Sequence, residues 1–488
     1  MGAELRRAKI LSTVGPASSD PDTLRALVEA GSDAIRINFA HASHKQATAI
    51  IAQLRDLARE IGRAIAVLCD LQGPRVRVGA LSSPIRVSKG ERYRFVPEGT
   101  AQDGESARAE RAIPMTVAGL ASSLAKGNRI LLDDGRIAFE VASVQGSELE
   151  VVALTDGDVK THKGMNLPGV VLDAEFLTDK DRRDLEFARS KHVDYVGLSF
   201  VQRARDIEEA REEVGGEALI IAKIEKDQAL KELDEIIRLS DGVMVARGDL
   251  GVELPFEEVP MVQKQVIGLG QELARPVITA TQMLESMTQQ PRPTRAEVSD
   301  VANALLDGTD AVMLSAETAV GKYPVESVRA MARIVRRIES QTTPRSRSRR
   351  VETERSHVQQ TSSAAISAAA VEAVERLDAS CIVTLTRSGF TARVIASQRP
   401  PVPILAVTDQ WRTYNQLSLV WGVHPIMHRG EVSYDHMRDA AREEIRRLEL
   451  AGTRDRFVGG GREAHLPRNR NLFRHSRRGL LMPRLHLR

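Results

Sequence analysis

The chain has 488 residues, 42% hydrophobic and 28% charged, with a net charge of +3. That length suits two to four domains, and the absence of any run of about 18 apolar residues excludes a membrane-spanning helix. Residues 452–488 hold ten arginines against one aspartate and one glutamate, or +8, which leaves the other 451 residues at −5, the difference between +3 and +8. A uniformly basic nucleic-acid surface is therefore excluded, and with 3% aromatics there is no stacking platform either. Cys69 and Cys381 lie far apart in apolar runs. Reduced, buried thiols and a cytoplasmic location are expected. The N-terminal stretch lacks an apolar leader segment, so no signal peptide is expected.

In chain order, eight short β-branched runs recur at 8–15, 32–39, 63–70, 194–200, 219–225, 241–247, 275–281 and 309–315. Between them, segments such as HKQATAIIAQLRDLAREIG and PVESVRAMARIVRRI repeat apolar residues every three or four positions, which predicts amphipathic helices. The strand runs are apolar on both faces, as a parallel sheet covered by helices requires. The fold class is α/β, a (β/α)8 TIM barrel spanning 1–72 and 172–343. A doubly wound sheet is the alternative, but no Gly-x-Gly-x-x-Gly follows the first strand. From 73 to 171 the pattern becomes short alternating runs (RVRVGAL, IRVSKGERYRFV, ELEVVAL) broken by turns such as Asp134-Gly135, an inserted all-β domain. Emerging after strand 3, it can act as a lid. An Arg- and Ser-rich linker is expected at 344–363 and a further α/β domain at 364–451. No strand or helix pattern is visible in the tail 452–488.

Polar residues gather at the C-terminal ends of the strand runs: Arg36 and Asn38, Asp70, Lys223 and Glu225, Asp249, Thr281, and Ser315 with Glu317. Each alone reads equally as a salt-bridge or capping group. Together, in a barrel, they converge on one mouth, where barrel enzymes work. Lys223 and Glu225 are two apart, on one face of a strand. A lysine beside two acids suits phosphoryl transfer, the cation neutralising the moving group and the acids holding a divalent metal. Gly248 at the start of a short helix offers backbone N–H groups to an anion such as a carboxylate, or is an ordinary turn. Ser12 and Thr13 end strand 1 and could meet phosphate or cap a helix.

The chain resembles the pyruvate kinase family. The matching segments include KILSTVGPAS, RINFAHASH, DLQGPRVRVG, LLDDGRI, KGMNLPG, AKIE, MVARGDLGVELP, ITATQMLESM and LTRSGFTAR, in the family's order from residue 9 to about 396. The resemblance implies transfer of a phosphoryl group from phosphoenolpyruvate to ADP, giving pyruvate and ATP. It implies Glu225 and Asp249 as ligands of Mg2+ or Mn2+, Lys223 as the cation on the phosphoryl group, and Arg36 as its binder. Gly248, Asp249 and Thr281 would hold the substrate carboxylate, with Thr281 or a nearby water chain supplying the proton to the enolate. Asn38, His41, Arg77 and Lys163 match nucleotide-binding positions. A homotetramer and a C-terminal effector domain are also implied.

Departures from the family carry expectations of their own. Ala40 stands where potassium-dependent members have serine, and Arg75 where they have glutamate. A fixed guanidinium can replace a monovalent cation, so K+ independence is expected, with Asn38 and Asp70 as the remnant of that site. Thr386, Arg387, Ser388, Gly389 and Thr391 resemble a sugar-phosphate effector loop, or form a plain strand-to-helix turn. The arginine-rich tail reads as a shifted frame, a divergent tail or a solvated disordered one. Two rival functions are a metal-dependent aldolase, which would not need the inserted domain or Lys163, and a sensor without catalysis, which Lys223, Glu225, Asp249 and Thr281 together oppose.

Overall fold

The computed structural model describes residues 5–99, 112–117, 119–133, 135–170, 175–216, 218–341, 362–429, 434–450, 457–461 and 479–481. Asp134, the linker reading up to residue 361 and most of the tail from 452 lie outside them. Strands β1 (Lys9–Val14), β2 (Ala34–Asn38) and β3 (Ala66–Asp70) begin a barrel. An insertion follows: β4 (Ile85–Val87), β5 (Arg92–Pro97), β6 (Ala112–Met115), β7 (Arg129–Leu132), β8 (Ile137–Gln145), β9 (Glu148–Ala153), β10 (Gly157–Val159) and β11 (Met165–Asn166). Strands β12 (Tyr195–Leu198), β13 (Leu219–Ile224), β14 (Gly242–Ala246), β15 (Val277–Ala280) and β16 (Ala311–Leu314) then complete the closed parallel barrel. β3 pairs directly with β12 across the insertion, Leu68 opposite Tyr195, and β1 closes on β16, Lys9 opposite Ala311.

The barrel is packed solid. Leu11, Leu68, Tyr195, Ile221, Met244, Ile278 and Met313 fill its interior, each nearly or fully buried. Each such side chain contributes roughly 1.5–3 kcal/mol by leaving water. Outside, helices lay apolar stripes on the strands. The helix His44–Ile61 buries Ile50, Leu54 and Leu57; it starts at a Ser43–Gln46 capping box and stops at Gly62, φ 61°. The insertion is a separate β domain around Phe95, Phe139, Leu149 and Val151, with a six-stranded sheet ordered β11-β7-β8-β9-β5-β6.

The lower rim of the barrel rests on a repeated device. Asp33, Asp194, Asp241 and Asp310 immediately precede β2, β12, β14 and β16. Their carboxylates accept the backbone N–H groups of Ile10, Val67, Ile220 and Val277 on the neighbouring strands, at 2.7–3.0 Å. Each also pairs with an arginine: Arg6 at 2.5 Å, Arg55 at 2.8 Å, Arg211 at 2.9 Å and Arg399 at 3.0 Å. The same rim is plugged by the C-terminal domain. Leu419 enters the barrel's interior cluster, Tyr195 Oη donates to the Gln416 carbonyl (2.7 Å), and Lys9 Nζ donates to that of Val423 (2.7 Å). Only the upper end is left to work.

In the C-terminal domain, β17 (Cys381–Leu385), β18 (Ile404–Thr408), β19 (Val423–Met427), β20 (Phe457–Gly461) and β21 (Gly479–Leu481) form one parallel sheet ordered β19-β18-β17-β20-β21. This corrects the reading of the tail as patternless. Phe457–Gly461 pairs along the whole length of β17, and Val458 is buried in the domain core. Three glycines in FVGGG hide the strand from propensity; the open edge of β17 supplies the hydrogen bonds. Both cysteines are buried and free, and no helix among the described residues is long and apolar enough to cross a membrane.

Candidate active site

Asn38 and Asp70 are cross-strand partners at the upper ends of β2 and β3. Asp70 is fully buried and lies between two cations. Arg36 on β2 donates to Asp70 Oδ2 at 2.6 Å and to Thr13 Oγ1 at 3.2 Å. Lys223 Nζ on β13 lies 3.2 Å from Asp70 Oδ1 and 2.8 Å from Glu225 Oε1, and donates to Ser199 Oγ at 2.7 Å. β12 makes room for this carboxylate with Gly197, where a Cβ would stand 2.9 Å from Asp70 Oδ1.

The electrostatics follow. Burial raises the Asp70 pKa, but Lys223 and Arg36 outweigh it and hold the carboxyl below its ordinary value. Burial lowers that of Lys223, but Asp70 and Glu225 outweigh it, so the ammonium is kept charged. Glu225 goes the other way, raised by burial and by the negative charge of Asp249, since Lys223 is shared with Asp70. Of the cations near this pair, Lys223 bonds Glu225 at 2.8 Å and Arg75 lies 3.9 Å from Asp249. No cluster of three His, Cys, Asp or Glu suited to a metal exists among the described residues. Two carboxylates completed by substrate oxygens and water are the usual donor set for Mg2+, and this pair fits it.

Asp249 sits on the helix Arg247–Glu253, which follows β14 at once. Thr281, after β15, adopts φ 65°, a strained conformation for a β-branched residue. Its Oγ1 donates to the Ala280 carbonyl and accepts the Gly248 N–H, both at 2.7 Å. A Cβ at Gly248 would press to 3.2 Å from that oxygen. The Gly248 amide, expected to be open to an anion, is thus engaged by Thr281 here. The Thr281 backbone is held from below by Arg247, which donates to the carbonyls of Ala280 and Thr281 and is fixed by Asp300 through two bonds of 2.7 Å.

Ser315 Oγ is buried without a partner among the described residues. Glu317 accepts the N–H groups of Ser315 (2.7 Å) and Leu284 (3.0 Å), so it ties the β16 loop to the β15 loop. Burial raises its pKa.

Across the mouth, His41, Arg75, Arg77 and Arg36 form a basic group. Burial and then the charges of Arg75, Arg77 and Arg36 lower the His41 pKa. Arg77 and Lys163 lie on adjoining lid segments, Arg77 bridged to Gly164. Lys163 Nζ bonds Asp133 Oδ1 at 2.6 Å. Arg75 reaches toward Asp249, 3.9 Å from its Oδ1. The oxygens expected of a remnant K+ site are engaged: Asn38 Oδ1 accepts the Ala40 N–H (3.0 Å) and Asp70 holds Arg36.

In the C-terminal loop, Thr386 Oγ1 accepts the Gly389 N–H (2.9 Å), Gly389 has φ 76°, and Arg387 pairs with Asp409 at 3.2 Å. Ser388 Oγ accepts the N–H of Phe390, where the helix bearing Thr391 begins.

Sequence reading assigned β12 no functional residue. Ser199 and Phe200 follow it at the mouth, the one binding Lys223 and the other, at φ 59°, donating its N–H to Glu225 Oε2 at 2.9 Å. Their position at a strand end was the available signal. Asp300 lies within a helix and gave none.

A packed barrel, a β domain over its mouth, and a buried lysine held between Asp70 and Glu225 with Asp249 beside them define a phosphotransferase. Residues 5–328 match the pyruvate kinase barrel domain and residues 364–471 the pyruvate kinase alpha/beta domain. The chain is similar to a pyruvate kinase of Agrobacterium vitis, 44% identical over 93% of this chain and 94% of that one. It is similar to one of Mycobacterium tuberculosis H37Rv, 44% identical over 86% of each. Its fold matches the crystal structure of a pyruvate kinase from Cryptosporidium parvum, with TM-score 0.88, 31% identity and 93% of each chain covered. The chain belongs to the pyruvate kinase family, and its activity is phosphoryl transfer from phosphoenolpyruvate to ADP, giving pyruvate and ATP. That family generally uses a divalent metal.

Proposed function

We propose that this transfer is carried by Lys223, Arg36 and Thr281 over a metal held by Glu225 and Asp249. The observation that supports it most is the Lys223 ammonium, buried within 2.8 Å of Glu225 and 3.2 Å of Asp70. Arg36 grips the phosphoryl group of phosphoenolpyruvate, and Lys223 follows it in flight, offsetting charge on the equatorial oxygens. Asp249 and Thr281 orient the substrate carboxylate, with Gly248 joining them when the carboxylate displaces Thr281 Oγ1 from its N–H. When bound, Mg2+ or Mn2+ supplies Lewis-acid stabilisation of the enolate oxygen. As the phosphorus–oxygen bond breaks, the enolate of pyruvate is left, and Thr281 or a water it orients delivers the proton to carbon. Asn38, His41, Arg77 and Lys163 hold ADP, whose terminal phosphate oxygen takes the phosphoryl group.

Arg75 stands in for a monovalent cation, so the enzyme works without K+; the engaged oxygens of Asn38 and Asp70 support this. The loop Thr386–Thr391 is the seat of a sugar-phosphate effector, and the protein is a cytoplasmic homotetramer. Lys223→Met tests the central assignment in a coupled pyruvate assay. Turnover should fall by about 10³-fold or more, the loss expected of a preorganised cation on the transition state, and near-normal turnover would refute it. Adding KCl at constant ionic strength should change the rate less than about twofold; a manyfold rise would overturn the role given to Arg75.

A further inference from the structure

Beside the mouth lies a second buried ion pair that phosphoryl transfer does not use. Glu253 ends the helix that carries Asp249, one turn along, and its side chain is 0% exposed. Its Oε1 accepts from Lys226 Nζ at 2.5 Å and from Asn166 Nδ2 at 3.1 Å. Its Oε2 is buried with no partner among the described residues. Lys226 directly follows Glu225, and its ammonium lies 5.7 Å from the centroid of the Phe200 ring. Asn166 ends β11, on the arm by which the lid returns to the barrel. Further along that arm, the Val170 carbonyl accepts from Gln228 Nε2 at 3.1 Å. Three segments thus meet at one carboxylate: the lid's return arm, the loop bearing Glu225 and the helix bearing Asp249.

Such a pair is a poor stabiliser. Withdrawing two charges from water offsets most of their attraction, and an oxygen left bare adds to the deficit. What the pair does is fix position. Arg77 is bridged to Gly164, the Val78 N–H donates to the Lys163 carbonyl, and the Met165 N–H donates to that of Val76. The place of Asn166 therefore sets the place of both lid cations. We propose that Glu253 is a positioning residue, a latch that ties the return arm to the metal-carboxylate segments and so holds Arg77 and Lys163 at a fixed height over the mouth. The inference rests on the assignment of those two residues to the nucleotide.

Asn166→Ala removes the lid's half of the latch and leaves the ion pair. Hydrogen exchange of the segment 160–170 should quicken about tenfold, with the lid core around Leu149 and Val151 unchanged. The KM for ADP should rise about five- to tenfold while kcat and the KM for phosphoenolpyruvate stay within about twofold, and Tm should hold within about 2 °C. Unchanged exchange, or a Tm loss with both KM values rising together, overturns the latch. Quickened exchange with an unchanged KM for ADP would instead strike the nucleotide assignment and leave the latch standing. The pair Lys226→Met with Glu253→Gln keeps an acceptor for Asn166 without buried charge. It should keep the KM for ADP within about twofold of wild type; a rise there with a silent Asn166→Ala would place the effect in the charges and overturn the proposal.

Discussion

The two ends of the barrel are made from the same residue types arranged to opposite purpose. At the lower rim, one solution is used four times: the aspartate before β2, β12, β14 and β16 takes a backbone N–H and an arginine, so each aspartate has its partners. At the mouth no such device repeats from strand to strand. Glu225 and Asp249 are like charges set near each other, Thr281 and Phe200 hold positive φ, and Ser315 Oγ has no partner. Repeated ion pairs that clamp one strand to the next resist movement. Irregular groups held beside strained backbone suit a ligand, a metal and a moving charge. The lesson is that burial of charge alone does not mark a site; buried charges of unlike kind gathered beside strained backbone at a strand-end mouth do.

The comparison breaks first at Asp310. Asp310→Ala would strand the buried Arg399 and free the Val277 N–H, costing about 3–5 kcal/mol of stability by denaturant unfolding, with turnover per folded molecule unchanged. If turnover fell as far as stability, the two ends would not be separable. At the mouth, Thr281→Ala removes a hydroxyl and the β-branch from a residue held at φ 65°. We expect kcat to fall about 10²-fold and Tm to hold or rise, read by steady-state kinetics and a thermal melt; a lowered Tm would show Thr281 to be structural. The smallest effect lies again at the lower rim. Burial lowers the Lys9 pKa to about 8. Between that value and the ordinary 10.5, the unfolded chain holds a proton the folded chain has released, so this group adds stability as pH rises through the window. Lys9→Met should flatten the pH dependence between 8 and 10.5 by roughly 1–3 kcal/mol; an unaltered slope would rule the group out.

Most of the mouth was legible because strand periodicity fixes which residues end a strand, and a barrel sends every strand end to one place. The eight predicted runs bracket the observed strands, and Lys223 and Glu225, two apart, meet at 2.8 Å. The lower rim was equally present in the letters, as Asp33, Asp194, Asp241 and Asp310 before their strands, but its meaning needs pairing across strands and to arginines up to 139 residues away. Gly248 was read from its backbone alone, and its engagement by Thr281 depends on a φ that no propensity forecasts for threonine. β20 was missed because its glycines carry no strand signal and its register is dictated by β17. The Asn166–Glu253–Lys226 contact joins residues from the lid and two barrel loops, a juxtaposition created only by folding.

The central claim, that the buried charges of the mouth serve chemistry while those of the lower rim serve the scaffold, is tested most directly by measuring turnover and unfolding midpoint together on Lys223→Met. The account predicts about a 10³-fold loss of kcat with Tm within about 3 °C of wild type. A large fall in Tm with turnover per folded molecule preserved would contradict it and make Lys223 a member of the scaffold.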